Sequence, residues 1–140
     1  MRLLQPASLG GLAALLLLGG WAVPGTEAKV ETERYLLVQV DGRPLPFLIY
    51  AVDDDCEVDL VGGTLDLEPA RGRYVLVDRV RGQCAWTAPD EVEERESGRY
   101  EADALEMRFR SDGSSRTWPG WARGDTIRMV RGGRAYTFRR

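Results

Sequence analysis

The chain has 140 residues, with 19 lysines and arginines against 22 aspartates and glutamates, a net charge of −3, and no histidine. The missing imidazole removes the commonest general base and the commonest neutral metal ligand. The mildly acidic balance gives no reason to expect a nucleic-acid partner.

Residues 1–28, MRLLQPASLGGLAALLLLGGWAVPGTEA, have the layout of a secretory signal peptide. Arg2 supplies the positive start, and an apolar run centred on Leu12 to Leu18 follows. Pro24 and Gly25 break it, and Thr26 and Ala28 are small residues three and one before a cut. The apolar run is about 15 residues, short of the roughly 20 that span a bilayer. Cleavage is expected after Ala28, with Ala22 the competing site. The expected product is one exported domain, residues 29–140, in the periplasm or outside the cell.

Beyond the signal, short runs of alternating apolar and polar residues are cut by glycine-containing turns, the pattern of strands and hairpins. In ERYLLVQVDG, Leu36, Val38 and Val40 are expected on one face, with Asp41-Gly42 ending the strand. Pro44 and Pro46 forbid regular pairing at the start of the next run, but Phe47 to Val52 can pair. In EVDLVGGTLDLEP the apolar phase flips across Gly62-Gly63, which predicts a bulge or sharp bend. GRYVLVDRVRG is apolar on both faces, so cover on both sides is expected.

Folding the hairpin about Ala70 sets position 56 opposite position 84. Cys56 and Cys84 are the only cysteines, and an even count in an exported chain favours a bridge. A disulfide is therefore expected between them.

The acidic run after Cys84 reads as an edge strand or a loop, since charge on an edge discourages aggregation. ALEMRFRSDG alternates, with Leu105, Met107 and Phe109 expected inward and a hairpin turn at Asp112-Gly113. The returning strand is expected to be interrupted by Pro119-Gly120. A last hairpin turns about Gly132-Gly133 and sets Ile127 and Met129 against Phe138 and Tyr136.

These elements define an all-β fold of eight or nine strands with no helix after the signal. Hairpin connections make it an antiparallel up-and-down meander. Closure into a barrel removes the exposed edges; a half-open barrel or a sandwich is the alternative. The segments YLLVQVDGRPLPF, GGTLDLEPARGRYVLV, SGRYEADALEMRFRSDG and GDTIRMVRGGRAYTFRR together resemble small exported bacterial lipocalin-like domains. Where lipocalins carry Gly-x-Trp, this chain reads Glu33-Arg34-Tyr35. The resemblance implies a barrel with an apolar cavity and carries over no named binding residue.

Asp53, Asp54, Asp55, Glu57 and Asp59 surround Cys56 and invite a metal reading. The Asp-x-Asp-x-Asp-Gly spacing of a calcium loop is missing, and alternation on a strand sends successive side chains to opposite faces. No metal or cofactor is therefore expected. Trp118, Trp121 and Trp86 are the candidate rim of a mouth that takes an apolar ligand, against plain core filling. Arg123-Gly124-Asp125 reads as a turn before a strand rather than as an adhesion tripeptide.

Charge is uneven: residues 29–103 hold 9 basic and 18 acidic residues, and residues 104–140 hold 9 basic and 3 acidic. The halves either neutralise each other across strands or mark faces for charged partners. With no histidine near any serine and both cysteines paired, catalysis finds no support. The expected function is noncatalytic binding of a small apolar or amphiphilic ligand. The alternative is a protein-binding module, such as an envelope factor or an inhibitor of an exported enzyme. An empty interior would favour the first and a filled one the second.

Overall fold

Alternation with period two and turns at glycine build ten strands and one turn of 3-10 helix, Pro69–Arg71. The computed structural model describes residues 29–140, so the expected signal peptide and its cleavage sites lie outside the described residues. The strands are β1 (Glu33–Val40), β2 (Arg43–Pro44), β3 (Phe47–Asp53), β4 (Cys56–Glu68) and β5 (Arg73–Cys84). They continue as β6 (Asp90–Asp103), β7 (Glu106–Ser111), β8 (Thr117–Arg123), β9 (Thr126–Arg131) and β10 (Arg134–Arg139). β4 to β10 pair antiparallel in chain order, and β1 bonds to both β10 and β4, closing an eight-stranded barrel. β2 lies on β1 and β3 on β4 as two extra strands.

The hydrophobic core of the fold lies inside the barrel. Val40, Leu65, Tyr74, Leu76, Phe109, Ile127, Met129 and Phe138 are all essentially inaccessible to solvent. Each such aliphatic or aromatic side chain contributes about 1.5–3 kcal/mol by leaving water. Tyr74 meets Phe109 edge to face, with ring centres 5.3 Å apart. The rings need room against the wall, and glycine supplies it. A Cβ on Gly98 would lie 2.6 Å from the Tyr74 ring and 2.0 Å from the Arg110 carbonyl oxygen.

The last hairpin has the expected register, with Ile127 opposite Phe138 and Met129 opposite Tyr136. The phase flip in β4 is a bulge between Leu60 and Gly62. It sets the cysteine register. Near the turn the hairpin is centred between Ala70 and Arg71, because Glu68 faces Arg73. The bulge shifts the pairing by one, so Cys56 faces Cys84, and the two form a disulfide.

Three local expectations are corrected. Leu36, Val38 and Val40 do not share a face: Tyr35 and Leu37 point inward and Leu36 outward, and a bulge between Leu37 and Gln39 then returns Val40 to the core. Leu105 is not inward, because it lies in the β6–β7 turn, where Ala104 adopts a positive φ of 53°. Pro119-Gly120 does not interrupt its strand, and β8 runs continuously through both. Pro119 faces Arg108 on the exposed side, while Gly120 lies beneath the Phe109 ring. No helix among the described residues is long and apolar enough to cross a membrane.

Candidate recognition surface

The barrel wall is not uniform in height. β1 pairs with β4 only from Thr64 to Leu67, and β3 takes over the same edge of β4 from Cys56 to Leu60. On the far side, β6 pairs with β7 only from Gly98 to Asp103, so Asp90 to Ser97 has β5 as its one strand partner. β3, the start of β4, the end of β5 and the start of β6 therefore form a four-stranded wing beyond the closed barrel. Both its outer edges lack a strand partner among the described residues. The Cys56–Cys84 disulfide ties its two central strands near the tip.

Alternation carries the apolar interior out along one face of the wing. Phe47, Leu60, Val80 and Val92 form one cross-strand row, followed by Tyr50, Val58 and Gly82. Phe47 and Leu60 are buried, but Val92 is 55% exposed and Tyr50 56%. Eight large hydrophobic residues are markedly exposed among the described residues, and five of them, Leu48, Tyr50, Val52, Trp86 and Val92, belong to the wing. They are divided between its two faces, since Leu48 stands opposite Asp59 and Tyr50 opposite Val58. The edge of β3 is apolar over Phe47 to Val52, without the charge or proline that usually protects an edge strand.

The wing is also strongly acidic. Residues 47–60 and 80–96 hold ten carboxylates and two guanidinium groups, Arg81 and Arg95. Arg81 lies 3.7 Å from the buried Asp59. Asp53 Oδ1 accepts a 2.9 Å hydrogen bond from the Asp55 amide and so shapes the β3–β4 turn. The carboxylates around Cys56 thus serve different local roles. No group of three or more metal-ligating side chains is assembled among the described residues.

Where the wing meets the barrel, polar groups are locked together. Arg131 Nη2 donates to Asp78 Oδ2 across the interior, and its guanidinium stands 4.8 Å from the centre of the Tyr136 ring. Burial works against the Arg131 charge, but Asp78 outweighs it and holds the guanidinium above its ordinary pKa. Asp78 Oδ1 is buried without a partner. Glu96 accepts from the Tyr74 hydroxyl at 2.6 Å and from Trp118 Nε1 at 3.1 Å. Burial and then this carboxylate push the Tyr74 phenol far above the usual tyrosine range.

The three tryptophans occupy different settings. Trp86 lies in the β5–β6 connection, highly exposed beside the disulfide. Trp118 points inward from β8 and bonds to Glu96, whereas Trp121, three residues on, points outward. Arg123-Gly124-Asp125 is the β8–β9 turn, with Gly124 at φ 61°. Sequence reasoning missed the Arg131–Asp78 pair, yet the signal was present. Arg131 continues the inward series Ile127, Met129, and Asp78 continues Tyr74, Leu76.

Four hollows on the surface of the described residues are open to solvent. Comparison with protein-family models, curated proteins and solved structures found no match.

Proposed function

We propose that this protein is a noncatalytic, exported binding module on a lipocalin-like barrel, and that it recognises another protein through the wing. The partner segment is an extended, basic strand with alternating apolar residues, adding to the free edge of β3. One observation carries this reading: five of eight exposed large hydrophobics gather on a wing with ten carboxylates and two guanidiniums. Edge addition supplies affinity through main-chain hydrogen bonds and specificity through alternate side chains. Acidic surroundings select a cationic partner and speed its encounter. Export fits the disulfide, since such bonds persist in oxidising compartments.

The test is hydrogen exchange of the purified protein with a short synthetic peptide alternating lysine and valine, against its glutamate–valine counterpart. The lysine peptide should protect the amides of Phe47 to Asp53, and Val52→Lys with Tyr50→Lys should abolish that protection. Equal protection by both peptides, or protection elsewhere, overturns the reading. The competing function is binding of a small apolar ligand along the row Phe47, Leu60, Val80 and Val92. Native mass spectrometry separates the two, because a co-purifying lipid would favour the ligand.

A further inference from the structure

Three arginines stand in register on the outside of the barrel. Arg73 on β5 faces Arg99 on β6, and Arg99 faces Arg110 on β7. Their sequence neighbours Tyr74, Gly98 and Phe109 are buried, so alternation carries all three guanidinium groups outward. Like charges directly opposite one another on a sheet are destabilising.

Two carboxylates border this row. Glu68 stands opposite Arg73 on β4 and lies 3.5 Å from Arg71, so it is already paired. Asp112 is the other. Asp112 Oδ2 lies 2.6 Å from Arg73 Nη2 and 3.2 Å from Ser97 Oγ, and the Asp112 amide donates to the Ser97 carbonyl. The bond from Arg73 first, and the field of Arg99 in addition, hold the Asp112 carboxyl below its ordinary range. Asp112 is thus committed to Arg73 and Ser97. Among the described residues, Arg99 and Arg110 form no ion pair. The next acid on this face of β6, Glu101, stands opposite Arg108 instead. Counting Arg71, four guanidiniums face the two carboxylates Glu68 and Asp112, which leaves the charges of Arg99 and Arg110 over.

A surface hollow of about 570 Å³ lies at this surplus, lined by Arg99, Arg110 and the loop from Ser111 to Ser115, which includes the Asp112 carboxylate already held by Arg73. Ser114 Oγ already accepts from the Arg116 amide. Ser111 and Ser115 bring further hydroxyl groups to the lining.

We propose that this hollow binds a tetrahedral oxyanion, a phosphate or sulfate group, held by Arg99 and Arg110 and by hydroxyls of the Ser111–Ser115 loop. Each planar guanidinium presents paired N–H donors that match two oxygens of such a group. Binding relieves the repulsion within the row and recruits the serine hydroxyls as donors. The site is separate from the wing and stands or falls independently of the function proposed above.

The test titrates inorganic phosphate, sulfate and glycerol phosphate into the isotope-labelled protein, with sodium chloride holding ionic strength constant. Amide shifts should saturate at Arg99 and Ser111 to Ser115. Affinity for phosphate should fall at least tenfold in Arg99→Ser and in Arg110→Ser. Arg110→Lys keeps the charge but not the fork and should still weaken binding severalfold. Phosphate should raise the melting temperature of the wild type above that in matched chloride, and should not do so for Arg110→Ser. Equal responses to phosphate and chloride, or undiminished binding in the serine variants, overturn the proposal. If glycerol phosphate binds more tightly than phosphate, the natural ligand is a monoester; equal affinity assigns the free ion.

Discussion

Replacing Arg131 by methionine tests how the barrel interior tolerates charge. Asp78 is 7% exposed, Arg131 is the sole donor to its Oδ2, and Oδ1 has no partner at all. The Arg131→Met variant therefore strands a carboxylate among apolar side chains with neither oxygen bonded. Removing one member of a buried pair costs about 3–5 kcal/mol, against a total stability of about 5–15 kcal/mol for a domain. The melting temperature should fall by on the order of 15 °C. Removing both charges, Asp78→Leu with Arg131→Met, should restore wild-type stability or exceed it by about 1–4 kcal/mol. Asp78→Leu alone should cost less than Arg131→Met. The Arg131 side chain is 17% exposed and lies at the end of β9, so its head can reach water. Thermal and urea unfolding of the three variants supplies the cycle. A loss under about 1 kcal/mol for Arg131→Met, or a double variant as unstable as it, refutes the reasoning.

Gly98→Ala should destabilise by about 1–3 kcal/mol through overpacking against Tyr74 and the β7 backbone. Gly82→Ala, where an added Cβ meets nothing within 4 Å, should be neutral or slightly stabilising in the same urea assay. Reducing the Cys56–Cys84 bridge, which spans 28 positions, should cost up to about 3–4 kcal/mol in the chain-entropy account. Hydrogen exchange should show the loss concentrated in the wing while the barrel amides stay protected. Burial raises the phenol pKa of Tyr35, Tyr74 and Tyr100. A phenol with a raised folded-state pKa contributes stability that is whole below the unfolded value near 10 and is lost as pH rises beyond it. Stability should therefore decline above about pH 10, and Tyr74→Phe should flatten that decline; an unchanged slope would exclude the Tyr74 share.

The barrel was legible because its code is local. Alternation fixes which side chains face inward, and glycine turns fix where the chain reverses. Ile127, Met129, Tyr136 and Phe138 could be paired from sequence for that reason. Failures came where one residue breaks the period. The bulge beside Val38 reverses the faces of β1, so Leu36 is outside and Leu37 inside. Proline in a strand suggests a break, but Pro119 sits on the outward side of β8, where its bulk is exposed. The strands of the wing were legible, with Phe47 to Val52 able to pair, the acidic run as an edge and Cys56 opposite Cys84, but their projection beyond the barrel was not. It arises because β3 replaces β1 along one edge of β4, a relation between distant strands that no local pattern encodes.

The charge asymmetry of the chain separates into two parts once the fold is known. Arg131–Asp78, Arg134–Asp41 and Arg140–Glu33 join the basic last strands to acids of the first half. These pairs sit where β9, β10 and the C-terminus meet the rest of the barrel, so part of the imbalance is consumed in closing it. The carboxylates of the wing are different, because only Asp59 has an ion-pair partner there. The arginine row on β5, β6 and β7 is their mirror image, with two guanidiniums left over. A sequence selected only for closure would have no need to hold like charges in register at one place and ten carboxylates on one four-stranded wing at another. Both arrangements cost stability in the free protein. Under the two proposals made above, a basic strand at the wing and an oxyanion at the arginine row would each offset one of these costs.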